Sequence, residues 1–172
     1  MPRRVTLIRH AAPETRAEID PAEWPLSAAG RRAAAELATR VPNGVALASS
    51  TEAKAIETLC LAAGRTPAEL RLDHRFGEVV RPGEPFDDDY MNRRLAWVVG
   101  RPDDRHNTWE TPEQAARRFQ QGIDDLEGDV VVATHGMVLT AWLVSRGVIM
   151  PGAEAGAFWT ELAFPDVVTT DR

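Results

Sequence analysis

One cysteine, Cys60, is all the sulfhydryl that 172 residues contain. No disulfide can close within the chain, and no Cys/His spacing resembles a zinc site, so neither a disulfide frame nor a metal is implied. Cys60 reads as a buried core thiol. Long apolar runs are missing too: the run at residues 130–133 falls far short of the roughly 20 residues a spanning helix needs. The opening Met1-Pro2-Arg3-Arg4 passes straight into a strand-like run with no signal-peptide h-region. Together these absences predict a cytoplasmic protein. Basic charge is not in excess either. A formal charge of -6 removes the basic face that nucleic acid or an anionic membrane requires, so an anion must be caught locally. Lysine is scarcest: Lys54 stands alone, the rest of the 20 basic residues being arginine. No internal repeat or low-complexity tract is present.

What remains is an ordinary globular composition, 44% hydrophobic and 27% charged, in a length that suits one domain over residues 1–172. Strand-like and helix-like stretches alternate. This order predicts an α/β fold: a three-layer sandwich with a mostly parallel central sheet and helices on both faces. Residues 5–8 form a β-branched run ending at Arg9-His10, which places both side chains at the carboxyl end of a strand. Ser27 is set to cap a helix reaching about residue 40, with Leu26, Ala33, Leu37 and Val41 on one face. A strand over 45–48 follows. Ser50 or Thr51 is then expected to cap a second helix, whose stripe Ala53, Ile56, Cys60 and Ala63 runs to Gly64 and leaves Lys54 off it. Residues 77–107 carry Pro82, Pro85 and Pro102 around one helix at about 87–99, and read as an active-site rim or lid. Thr111-Pro112-Glu113-Gln114 is a capping box that opens a helix with Ala116, Phe119, Ile123 and Leu126 on its apolar face. Residues 129–134 read as a buried central strand, followed by His135-Gly136 and a helix over 137–146. The tail, 157–164 and 167–170 about Pro165-Asp166, reads as a closing β-hairpin.

Two histidines, His10 and His135, each follow a short apolar strand and precede a small residue, Ala11 and Gly136, before the chain moves toward a helix. In open α/β sheets ligands bind beyond the carboxyl ends of strands, where helix N-termini and free N–H groups favour anions. Two imidazoles there, with Arg9 beside the first, make a compact cationic pocket in an acidic protein.

These residues resemble the histidine phosphatase superfamily, whose fold is phosphoglycerate-mutase-like. The resemblance covers essentially the whole chain. It rests on Leu7-Ile8-Arg9-His10-Ala11, on Pro25-Leu26-Ser27-Ala28-Ala29-Gly30, on the ten residues from Ser49 to Thr58, and on Ala133-Thr134-His135-Gly136, four motifs in the family's order. It implies that His10 is the nucleophile that becomes phosphorylated. Arg9, His135 and the backbone at Gly136 are implied phosphate ligands, and Lys54 falls where the family usually places a second arginine. Arg75-Phe76-Gly77-Glu78 resembles the segment ending in the proton-donating carboxylate, so Glu78 is the implied general acid, held protonated near the bridging oxygen. Glu84 and Asp87 are the alternatives on the rim.

The implied activity is a metal-independent, cofactor-free phosphatase that takes a small phosphorylated metabolite through a phosphohistidine intermediate. Alternatives are mutase-type phosphoryl transfer, protein phosphohistidine phosphatase action, and a catalytically weak phosphate-binding module. The last draws on two departures. Ala11 replaces the usual glycine and adds a methyl near the closest backbone approach to phosphate. Lys54 offers one compact charge where guanidinium offers a rigid fork. Arg16 reads as an exposed loop arginine, Asp87-Asp88-Asp89 as a solvated helix start, and His74 and His106 as exposed. The tryptophans Trp24, Trp97, Trp109, Trp142 and Trp159 read as core or rim packing.

Overall fold

Five consecutive apolar or β-branched positions after Asp129 leave no polar face, and β4 (Val130–Thr134) is correspondingly buried along its whole length. In the computed structural model, which describes residues 3–171, β4 lies at the centre of a five-stranded sheet. The strand order is β3-β2-β4-β1-β5, with β1 Arg4–Arg9, β2 Ala46–Ser49, β3 Arg71–Leu72 and β5 Asp166–Asp171. β1, β2, β3 and β4 run parallel, and β5 runs antiparallel along β1.

Alternation along the strands divides the core in two. Val5, Leu7, Val130 and Val132 face one layer, which holds α3 (Tyr90–Val98), α4 (Pro112–Asp124), α5 (Gly136–Ser145) and α6 (Ala153–Glu161). Ile8, Val131 and Ala133 face the other, with Leu37, Ala55, Leu59 and Ala62 of the segment after α1 (Ala28–Glu36) and of α2 (Ala53–Ala63). The expected three-layer α/β sandwich is therefore observed. Of the tryptophans, Trp97, Trp109, Trp142 and Trp159 are buried and Trp24 is half-buried. Among the described residues no helix is long and apolar enough to cross a membrane.

Helix starts follow the expected chemistry in two cases. Ser27 Oγ accepts from Gly30 N at 3.0 Å, and Thr111 and Gln114 form the reciprocal box opening α4. The second helix departs from expectation. Its N-cap is Glu52, with no side-chain cap, and its deepest face is Lys54, Ala55, Thr58, Leu59 and Ala62, rotated from the expected stripe because α2 packs against both the sheet and the loop after β1. Cys60 is consequently half-buried, not core. α3 begins three residues later than expected, since Asp87 and Asp89 are engaged by Arg93.

The tail is not a hairpin. Residues 153–161 form α6, and β5 pairs with β1 instead of with a neighbouring strand of the tail. The apolar residues of 157–162 were compatible with either period, and packing on α3 and α5 selects the helix. His106 is also buried, not exposed: Nε2 lies 2.8 Å from the Arg93 carbonyl and Nδ1 accepts from Asp103 N. His74 is exposed as expected, and Arg16 is an exposed loop residue paired with Glu14.

Candidate active site

The parallel register of β1 and β4 pairs Arg9 with Thr134, so the residues that follow, His10 and His135, emerge side by side. Backbone bonds continue the ladder past the strand ends, from His10 N to Thr134 O and from Ser50 N to Ala133 O, both 3.0 Å. Ser50, His135 and His10 thus lie across three adjacent strand ends. The two imidazole centroids are 5.1 Å apart.

Nδ1 of His10 sits 2.8 Å from the Ala11 carbonyl. A carbonyl only accepts, so Nδ1 carries the proton and Nε2 keeps its lone pair. Burial, reinforced by the charges of His135, Lys54 and Arg9, holds the His10 pKa well below 6.5, and the ring is neutral at neutral pH. The loop beyond it is fixed from both sides. Thr58 Oγ1 accepts from Ala11 N at 2.9 Å, while Ser27 Oγ donates to Ala12 O at 3.0 Å. A Cβ on Gly30 would stand 2.2 Å from Ala12 O, which is why only glycine serves there. The Ala11 methyl is buried in a small cluster with Leu26 and Ala34.

Arg9 is buried with its guanidinium over the Phe164 ring, 3.5 Å from Cζ to the centroid. It donates to the Leu162 carbonyl, and its Nε has no partner. Desolvation lowers its pKa to about 10, against the opposing pull of Glu78 and Asp166. The charge therefore persists at neutral pH. Gly136 is small for a reason: a Cβ there would meet Trp159 Nε1 at 3.0 Å and Arg9 Cζ at 3.2 Å.

Lys54 is buried, unlike the off-stripe position its helical phase suggests. Its Nζ donates to Pro21 O and to Glu52 Oε2, both at 2.6 Å, which leaves one of three protons for a ligand. Glu52, absent from the sequence-derived site, links several parts of the pocket. Oε1 accepts from Glu78 N at 2.9 Å and lies 3.3 Å from His135 Nε2. Burial alone would raise its pKa, but the charges of His135 and Lys54 and the bonds it accepts bring it to about 2. It lies within the Ser49–Thr58 motif, two residues before the chain's lone lysine, but the resemblance implies no role for it.

His135 is completely buried. Nε2 is 2.8 Å from Ser50 Oγ, and Nδ1 has no partner. Burial lowers its pKa, Lys54 and Arg81 add to this, and Glu52 and Glu78 oppose it.

Glu78 is brought to the same place, but its setting differs from the expected protonated acid. Its carboxylate accepts from Met137 N at 3.1 Å, Val138 N at 3.0 Å and Val79 N at 2.9 Å. It thereby occupies the N-terminus of α5, where the helix favours negative charge. Burial raises its pKa, but Arg81, His135 and the donated N–H bonds together hold it below the ordinary carboxylate range. The segment bearing it is held by Thr134 Oγ1 on Phe76 O at 2.7 Å and by Arg118, which donates to the carbonyls of Arg75, Gly77 and Glu78. The alternative rim acids are both committed to arginines: Glu84 to Arg81 and Arg94, Asp87 to Arg93. Among the described residues no group of three or more His, Cys, Asp or Glu side chains is placed to hold a metal ion.

Residues 5–155 match the family model of the histidine phosphatase superfamily (branch 1). Solved structures agree in fold. A mycobacterial glucosyl-3-phosphoglycerate phosphatase superposes with a TM-score of 0.72 at 18% identity, covering 98% of this chain and 90% of that one. A phosphoserine phosphatase mutant from Entamoeba histolytica, in complex with phosphoserine, gives 0.71 at 17% identity over 96% and 89% of the two chains. A phosphoglycerate mutase from Bacillus anthracis gives 0.70 at 17% identity over 99% and 88%. A search of curated protein sequences found no match.

Proposed function

The chain belongs to the histidine phosphatase superfamily, branch 1, and from that premise we propose that it hydrolyses small phosphomonoesters through a phosphohistidine on Nε2 of His10. The observation that carries this reading is the His10 ring itself. It is buried and neutral, with Nδ1 bound to the Ala11 carbonyl and Nε2 free, beside Arg9 and His135. In the first step Nε2 attacks phosphorus, the ester P–O bond breaks, and the leaving oxygen takes a proton from Glu78. In the second, water attacks phosphorus as Glu78 accepts its proton, and the N–P bond breaks. Arg9, Lys54 and His135 carry the charge on the phosphoryl oxygens.

Because Glu78 is ionised in the ligand-free pocket, it must gain its proton as the substrate binds. A phosphate dianion beside it raises its pKa, or a monoanion supplies the proton directly. Residues 77–107 form the rim in this reading, and Arg81, Glu84 and Arg94 on it shape the entrance. The named phosphatases of similar fold act on small phosphorylated compounds, the class of substrate we assign.

The test is to quench the protein with labelled phosphate ester under acid-free conditions, with chelator present. The expected result is label on His10 in an acid-labile, alkali-stable linkage and none in His10→Ala, with turnover unchanged by 2,3-bisphosphoglycerate. Label on serine or aspartate, or activity abolished by the chelator, would overturn the mechanism. Dependence on the bisphosphate would favour a mutase.

A further inference from the structure

An anion pocket has no evident use for a buried carboxylate, since Glu52 repels the ligand that Lys54 attracts. Lys54 and Glu52, one positive and one negative and 2.6 Å apart, cancel at a distance. A single arginine in place of the pair would leave a net charge of plus one. The arrangement favours an anion only if Glu52 generates a further positive charge, and the group it faces is His135.

We propose that Glu52 is a positioning residue for His135, forming with it a buried carboxylate–imidazole pair through which His135 takes up a proton as a phosphoryl dianion enters and presents Nδ1–H to it. The geometry supplies each part. Nε2 faces Glu52 Oε1 at 3.3 Å and Ser50 Oγ at 2.8 Å, two oxygens able to accept from a protonated ring. Nδ1, on the opposite side, is buried with no protein partner, so it is the ring atom left for a ligand. The titratable groups facing His135 come from three directions: the charged Glu52 and Lys54 at the start of α2, the charged Glu78 and Arg81 on the rim segment, and the neutral His10 at the end of β1. With no ligand these nearly balance, and burial keeps the ring neutral. A dianion on the Nδ1 side adds negative charge opposite Glu52, and the imidazolium is then flanked by anions on both sides. The trio Glu52, Lys54 and His135 becomes net positive only when it is needed.

The inference rests on the phosphatase reading, but its test needs no turnover. Orthovanadate affinity would be measured from pH 6 to pH 9 for the wild type and Glu52→Gln. The ligand's own ionisation cancels in the ratio of the two. An imidazolium stabilised by Glu52 helps below the bound-state pKa of His135 and stops helping as pH rises through it. The expected ratio is about tenfold in favour of the wild type at pH 6, closing toward one by pH 9. Simple repulsion predicts the reverse, tighter binding by Glu52→Gln, and a clip that merely holds Lys54 predicts a loss independent of pH; either result would overturn the proposal. A second measurement needs only the wild type. Nitrogen NMR of labelled histidine should show both His135 nitrogens in the imidazolium range after vanadate is added at pH 6, and a ring that stays neutral would overturn the proposal. Failure of the wild type to bind vanadate would remove the phosphatase reading with it, whereas binding without proton uptake removes the Glu52 role alone.

Discussion

In the mechanism we propose, Glu78 has two jobs whose protonation requirements are opposite, and the three N–H groups on its carboxylate favour only one of them. As a base for the second step it is ready at neutral pH. As an acid for the first it is scarce, because above a depressed pKa the protonated fraction falls about tenfold per pH unit. The need for that proton depends on the leaving group: an alkoxide requires it, and the phenolate of p-nitrophenyl phosphate departs without it. Glu78→Gln should therefore slow phosphorylation of His10 by an alkyl phosphate by about 10²-fold or more near pH 5, and by much less with p-nitrophenyl phosphate. The alkyl penalty should shrink as pH rises toward 8, since the wild type loses its proton there too. Burst kinetics isolate this step from phosphohistidine hydrolysis. Equal losses for both substrates, or an alkyl penalty unchanged by pH, would show that Glu78 only positions or binds.

At the scale of elements, the proposed acid is held by α4, a helix outside the four motifs that carry the family resemblance. Arg118 of α4 is mostly buried, pairs with Glu110 at 2.6 Å, and donates to three carbonyls of the Glu78 segment, those of Arg75, Gly77 and Glu78. Arg118→Lys keeps the charge but cannot span those acceptors. It should cost about 2 kcal/mol of stability and lower kcat for alkyl phosphates, with vanadate affinity within about threefold of the wild type. A matching loss of vanadate affinity would mean that Arg118 supports the whole pocket and not the acid alone. This contact also marks where sequence reading stops. The strand-end histidines, the Ser27 cap and the α4 capping box are local signals, written within a few residues of the feature they produce. Glu52, Ser50 and Arg118 act across separations such as the 85 residues between Ser50 and His135, and nothing in their own neighbourhoods announces the partner. The tail failed for a different reason: its apolar residues fit strand and helix alike, and the choice was made by the α3 and α5 surfaces beneath α6.

For the molecule as a whole, the site lies where the two halves of the core meet, so its titratable groups are buried by the same packing that stabilises the fold. That coupling has a definite sign. His10 and His135 have pKa values held below 6.5 in the folded protein and recover ordinary ones on unfolding. Below about pH 6.5 the unfolded chain therefore binds protons that the folded chain refuses, and stability falls as pH is lowered. Each histidine contributes a slope of up to roughly 1.4 kcal/mol per pH unit in that range. Glu52, at about 2 against 4.5 unfolded, extends the loss below pH 4.5 with the same sign. Urea midpoints should accordingly be level above about pH 7 and begin to drop near 6.5, well before the carboxylate range. The double variant His10→Asn, His135→Asn should flatten the curve between pH 6.5 and 4.5 while keeping the fall below it. On the proposed role of Glu52, saturating vanadate should shift the wild-type curve upward most at the acid end, because the occupied pocket would admit a proton on His135 that the empty one excludes. A wild-type midpoint that stays level from pH 7 to pH 5 would show that the buried histidines accept protons without cost, and would contradict the neutral-ring basis of the site.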